Sequence, residues 1–311
     1  MVWGRVIIGD SRSLREIPDK SVHLVVTSPP YPMIEMWDEQ FRSLDERIGA
    51  LWTEMEESVD DKVNLARRIY DLMHENLRLT WIEVYRVLVN GGIACINIGD
   101  ATRKIGNLFR TFPNHARTIE ICEDIGFVTL PYVLWKKPST KPKYKGKGAF
   151  LGSGFLPPNA YVTLDCEYIL IFRKGGLRKF RPDDRRRRAS KYTKEERDSW
   201  FTQIWSLPGV RQELSNSERR AAAFNEQVPR RLIRMFSVIG DTVLDPFLGT
   251  GTTMKVAMEL GRNCIGYEVD ESLKEIIREK VSSVKRDQRN AGIQLSITQR
   301  RGKVKLNELS N

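Results

Sequence analysis

Seven short apolar runs, separated by stretches with helical periodicity, constrain this chain more than any other feature. They lie at 5–9, 23–28, 92–98, 127–135, 167–172, 242–247 and 263–269. Each is shorter than an ordinary helix and nearly continuous in apolar residues, the pattern of a strand buried on both faces. Between several of them, over 115–125, 229–237 and 252–260, apolar residues recur at helical spacing. Strands alternating with helices make βαβ units, so the expected fold is α/β: a doubly wound, mostly parallel sheet of Rossmann-like form. Ligands of such sheets bind beyond the carboxyl ends of the strands, which directs attention to the residues following each run.

Composition narrows the function classes. With 311 residues, 41% of them apolar and 29% charged, the chain has material for a large core and reads as an ordinary globular protein. No run approaches the length of a membrane span, and the start, MVWGRVIIGDSRS, turns polar too early for a signal peptide; a cytoplasmic protein is expected. Cys95, Cys122, Cys166 and Cys264 are scattered with no CxxC pair, and His23, His74 and His115 are far apart, so neither a disulfide framework nor a metal centre is expected.

The net charge of +11 is localised: residues 136–197 hold 18 Lys+Arg against 6 Asp+Glu, so this segment carries the whole imbalance. It includes Lys136, Lys137 and the run Arg185, Arg186, Arg187, Arg188, interleaved with Tyr144, Phe150, Phe155, Phe180 and Tyr192. Cations for phosphates and aromatic faces for bases suit a nucleic-acid surface, with a solvated loop as the alternative. Residues 35–61 have the opposite sign, with 10 acids and 2 bases, and a helical stripe of Trp37, Phe41, Leu44, Ile48, Leu51, Trp52 and Met55. A second helix is expected from about Asp61 through Arg86, stopping at Gly91-Gly92. Together they read as an acidic helical hairpin packed on the body. The tail after about Gln288 is weakly patterned and reads as frayed.

Two strand ends carry chemistry. After Val243-Leu244 comes Asp245-Pro246-Phe247-Leu248-Gly249-Thr250-Gly251-Thr252-Thr253 and then a helix. Glycines there let the backbone approach a ligand at the helix N-terminus, but no Gly-Lys-Ser/Thr follows, so a phosphate loop is excluded. The next strand ends in Gly-Tyr-Glu268-Val-Asp270, and a carboxylate at that place can accept from both hydroxyls of a ribose. The second end is Thr27-Ser28-Pro29-Pro30-Tyr31-Pro32. Its prolines hold an extended rim that presents a hydroxyl, a carbonyl acceptor and an aromatic face, a set suited to a flat base with an exocyclic amine.

TSPPY, DPFLGTGTT and YEVD, in this order, resemble the motifs of the DNA amino-methyltransferases, which make N4-methylcytosine or N6-methyladenine from S-adenosylmethionine. The resemblance covers most of the chain, and catalytic motif first with donor motif last is the β order of that family. It implies that Ser28 and the Pro29 carbonyl hold the target amine, with Pro30 stiffening the rim and Tyr31 stacked on a flipped base. Asp245, Phe247, Gly249, Gly251 and Thr252 would line the donor's methionine end, Glu268 would take the ribose hydroxyls, and Asp10 would contact the adenine. There are two departures from the family pattern: Thr250 stands where many relatives have Ser, and AAAFNEQVP where many have a His-Pro block.

Ser at the first motif position goes with cytosine N4 in that family, so the resemblance implies N4-cytosine methylation of double-stranded DNA, without a metal. N6-adenine methylation is the alternative, followed by RNA amino-methylation and a non-catalytic nucleic-acid-binding module. Carbon-5 methylation is disfavoured because no Cys follows a Pro. The expected organisation is a catalytic domain over 1–173 and 207–311 with an insertion at about 35–80, and a target-recognition region over 174–206. A homodimer and a cognate restriction endonuclease acting on the same site are compatible with this reading.

Overall fold

The computed structural model describes residues 1–137, 162–209, 225–284 and 292–300. Tyr144, Phe150 and Phe155 of the basic segment lie outside the described residues. The first half comprises β1 (Val2–Ile8), β2 (Val22–Thr27), a 3-10 turn at Glu35–Trp37, α1 (Asp38–Leu44), α2 (Glu46–Glu57), α3 (Lys62–Val87), β3 (Leu88–Ile98), β4 (Ala101–Ile105), β5 (Leu108–Phe112), α4 (Asn114–Ile125) and β6 (Phe127–Lys136). The second comprises β7 (Cys166–Lys174), α5 (Arg185–Ala189), α6 (Lys194–Trp200), β8 (Ile204–Ser206), α7 (Gln227–Phe236), β9 (Thr242–Asp245), α8 (Thr252–Glu259), β10 (Asn263–Glu268), α9 (Lys274–Ser282) and β11 (Ile293–Gln299).

Nine strands form one sheet in the order β11-β1-β10-β9-β2-β3-β7-β6-β8. All pairings are parallel except those of β7, which runs antiparallel to both β3 and β6. Successive residues of each central strand enter different cores. Val25, Ala94, Leu170 and Leu244 pack against α1 to α4, whereas Val26, Cys95, Ile171 and Val243 pack against α7 to α9. Burial on both faces explains why these strands appear in sequence as continuous apolar runs. The expected doubly wound α/β fold is therefore observed.

Several local expectations are corrected. The helical stripe of 37–55 is not one helix: Asp45 is extended (φ −147°, ψ 109°), ends α1, and caps α2 by accepting from Arg47 N. Asp45 is buried and its carboxylate takes a hydrogen bond from Asn76 Nδ2 at 2.8 Å, so tertiary contact favours the break. Helix α3 stops at Val87, four residues before Gly91, because Ser21 N takes the Val87 carbonyl at 2.9 Å and Leu88 pairs with Val22. Gly91 instead lies inside β3 at φ +78°. The tail is not frayed at 293–299, where β11 pairs in parallel with β1 along seven residues. The β4–β5 hairpin, turning through Gly106, was not legible in the apolar pattern.

Candidate active site

Every parallel strand ends at the same edge of the sheet, and a cavity of about 920 Å³ opens there. Its walls join the two motifs that are more than 200 residues apart. Ser28, Pro29, Pro30 and Tyr31 line one end; Asp10, Phe247, Gly249 and Glu268 line the other. The motifs meet because β2 and β9 are neighbours in the sheet. Thr27 Oγ1 donates to Asp245 Oδ1 at 2.6 Å, and Phe247 N donates to the same oxygen at 3.1 Å. Asp245 is therefore committed to shaping the turn; burial pushes its carboxyl up to about 6, and its side chain does not reach the cavity wall.

Gly249 (φ +54°) and Gly251 (φ +87°) hold left-handed conformations that a side chain would strain, and they fold the turn back under Glu268. Glu268 Oε2 accepts from Gly249 N at 2.7 Å and Oε1 from Asp270 N at 2.8 Å. Desolvation outweighs these two bonds and raises the carboxyl to about 7. Gly251 and Thr252 lie beneath the turn, outside the cavity wall, with Thr252 Oγ1 accepting from Lys280 Nζ at 3.3 Å. The Asp10 carboxylate lines the donor end but is engaged by Arg12.

At the catalytic end the structure adds residues that the motifs did not include. Tyr31 Oη lies 3.1 Å from Ser28 Oγ and donates to Glu167 Oε2 at 3.0 Å. Asn97 Nδ2 donates to Tyr31 Oη and to Glu167 Oε2, each at 2.7 Å, and Lys137 Nζ pairs with Glu167 Oε1. Burial and the adjoining Glu167 carboxylate hold the Tyr31 hydroxyl well above its ordinary range, so it stays protonated. Beneath the rim, Asn114 Nδ2 donates to the carbonyls of Pro32 (3.0 Å) and Gly99 (2.9 Å), while its Oδ1 contacts His74 Nε2 at 3.1 Å. Burial lowers His74 to about 3, so the ring is neutral and donates through Nε2. Asn97 sits on β3 near its carboxyl end, a position the strand-end rule could have flagged. Glu167 opens the antiparallel β7, so no rule about residues following a strand would find it.

The basic residues divide. Lys136 and Lys137 end β6 at the cavity edge, Lys136 lying 3.9 Å from Asp165. Arg185, Arg186, Arg187 and Arg188 fall on the exposed α5 and are not brought to the cavity. Their neighbours precede β9: Ser190 Oγ accepts from Ile239 N at 2.8 Å, and Arg178 forks onto Asp241 at 2.5 and 2.8 Å. This is the opposite edge of the sheet, roughly 20 Å away along a six-residue strand. Between the two edges, β8 of the 174–206 region joins the main sheet beside β6. Among the described residues, no group of three His, Cys, Asp or Glu side chains converges as a metal site would require, and no helix is long and apolar enough to cross a membrane.

Comparison with known proteins agrees with this geometry. A family model described as DNA methylase matches residues 22–279. The Type II methyltransferase M.MjaI of Methanocaldococcus jannaschii is 67% identical over 279 residues, covering 89% of this chain and 90% of the relative. M.MthZI of Methanothermobacter thermautotrophicus is 50% identical over 283 residues, covering 89% and 76%. The crystal structure of a DNA modification methylase from Thermus thermophilus, complexed with S-adenosyl-L-methionine, superposes with a TM-score of 0.69 at 28% identity, over 94% of this chain and 99% of that one. A match of that extent and identity, with both motifs facing one cavity, makes this chain a member of the N6/N4 DNA methylase family, an S-adenosylmethionine-dependent DNA amino-methyltransferase.

Proposed function

We propose that the enzyme methylates the exocyclic N4 of cytosine in double-stranded DNA, on a base flipped out of the helix, as the modification partner of a restriction endonuclease acting on the same site. The observation that carries the reading is the position of Ser28 and Pro29 in the same cavity as Glu268. Ser28 at the first motif position favours cytosine over adenine by family resemblance, and the Type II names of the two archaeal relatives support the restriction-modification setting.

The donor end fits S-adenosylmethionine. Glu268 is a buried carboxylate with two backbone partners and lone pairs to spare, which suits two ribose hydroxyls, and the Gly249 turn leaves the backbone open beside it. When bound, the cofactor supplies a methyl group activated on a sulfonium. A volume of about 920 Å³ is near the top of the range for one small ligand, consistent with a nucleoside donor and a flipped base side by side.

The chain's own residues then prepare the amine. An exocyclic amine is a weak nucleophile because its lone pair is delocalised into the ring. Ser28 Oγ and the Pro29 carbonyl accept its two N–H bonds, turn the lone pair out of conjugation and stabilise the charge that develops on nitrogen. With Tyr31 donating to Glu167, its oxygen is free to accept the Ser28 proton, which leaves the Ser28 lone pairs for the amine. Asn97 braces this arrangement, and the Tyr31 ring is left to stack on the base. Lys136 and Lys137 supply phosphate contacts at the mouth, and target recognition belongs to the part of 174–206 nearest Ser206.

Digestion of methylated DNA to nucleosides, with mass spectrometry of the product, tests this directly. N4-methylcytosine is the expected product. N6-methyladenine alone overturns the base assignment, and methylation of RNA but not duplex DNA overturns the substrate. A second measurement concerns the arginine run. Reversing Arg185 through Arg188 to Glu is expected to slow DNA association at low salt and to leave affinity near physiological salt within about threefold, since a field from the far edge is screened beyond about 8 Å. A large loss that persists at high salt would place the run in direct contact with DNA.

A further inference from the structure

The acidic insertion at 35–80 is fastened to the donor end of the cavity by one buried side chain. We propose that Arg12 is a positioning residue for the donor pocket: it joins the loop after β1 to the insertion, so that α1 forms the outer wall of the donor site and its seating is coupled to donor binding. This rests on the placement of the donor along Asp10 and Glu268.

The Arg12 side chain is 6% exposed, and its guanidinium is fully used. Nε donates to Asp10 Oδ2 at 2.8 Å and Nη2 pairs with the same oxygen at 2.7 Å; the Arg12 backbone N takes Asp10 Oδ1 at 2.9 Å. On its other side, Nη1 donates to Asn76 Oδ1 of α3 at 2.6 Å and to the Leu44 carbonyl at 3.2 Å. Leu44 is the last residue of α1, whose final carbonyls have no partner within the helix. Asn76 in turn donates to Asp45, the residue that breaks the insertion into two helices. One planar fork thus gathers an acid from the donor loop, the end of α1 and an amide of α3. A lysine, with a single nitrogen, cannot span these sites.

The same helix contributes to the cavity wall through Gln40, Phe41 and Leu44, alongside Asp10 and Arg12. Removing Arg12 would strip partners from a carboxylate and a helix-end carbonyl together, so the loop and α1 lose register as a pair. The net acidity of the insertion also agrees with a wall facing a cationic sulfonium cofactor and away from DNA phosphates.

Hydrogen exchange on the wild-type enzyme, with and without S-adenosylmethionine, tests the coupling without any variant. Donor is expected to slow exchange across 38–57. Calorimetry on Arg12→Met is expected to show donor affinity at least tenfold weaker, and Arg12→Lys a loss in the same direction. At saturating donor, the turnover of Arg12→Met stays within about twofold of wild type while the donor KM rises, because Ser28, Tyr31 and Glu167 are untouched. Asn76→Leu, which spares the Asp10 pair, weakens donor binding in the same sense. Exchange over 38–57 that is indifferent to bound donor overturns the proposal, as does an Arg12→Met enzyme with a lower melting temperature but wild-type donor affinity. Wild-type donor affinity in Glu268→Ala would instead overturn the placement of the donor on which the proposal rests.

Discussion

Ser28→Ala lowers the single-turnover methylation rate by about 30- to 1000-fold, while donor and DNA affinities stay close to wild type. The hydroxyl acts on the amine mainly as positive charge develops, so its loss falls on the transition state. A preorganised hydrogen bond of this kind is worth about 2–4 kcal/mol. The surrounding network makes the substitution clean: Tyr31 keeps Asn97 and Glu167 as partners when Ser28 Oγ is removed. Tyr31→Ala differs, because stacking worth roughly 1–3 kcal/mol is lost and capture of the flipped base weakens as well. Rates at saturating donor and DNA, with 2-aminopurine at the target position to report flipping, separate the two effects. A wild-type rate for Ser28→Ala would remove the TSPPY rim from the chemistry.

Donor binding is expected to depend on pH through Glu268, and Glu268→Ala to weaken it by about 30- to 1000-fold through the loss of two bonds to a charged acceptor. Burial raises the empty-site carboxyl to about 7. Ribose hydroxyls donate to the ionised form and favour it, so the bound carboxyl titrates lower than the free one. A proton must then leave on binding at any pH below about 7. Affinity is therefore full above that value and falls by up to tenfold per unit as pH drops, until the bound carboxyl itself protonates. In Glu268→Ala this dependence flattens. Calorimetric titration between pH 5.5 and 8.5, roughly one to two units on each side of the expected midpoint, measures both slopes. A wild-type affinity that does not change over that interval would contradict the placement of the ribose on Glu268.

Local pattern in the amino-acid sequence was enough to locate the strands and the two working turns. Continuous apolar runs marked the buried strands, because burial on both faces leaves no polar face to alternate. Glycines at 249 and 251 and prolines at 29 and 30 marked the turns, because φ at those places is set by residue type. What lies across the chain from these motifs depends on tertiary pairing instead. The Thr27–Asp245 bond exists because β2 and β9 are neighbours, and the Tyr31–Glu167 bond because β7 runs backwards and delivers its first residues to the cavity. Asp45 ends a helix that periodicity would continue, since a buried amide and an N-cap are available to it only in the folded chain. Four consecutive arginines read as a polyanion site in sequence, but charge density says nothing of which edge of a sheet a segment will occupy. The run lies beside Ile239 and Gly240, at the edge away from the cavity, because β7 ends there and the chain continues from that point.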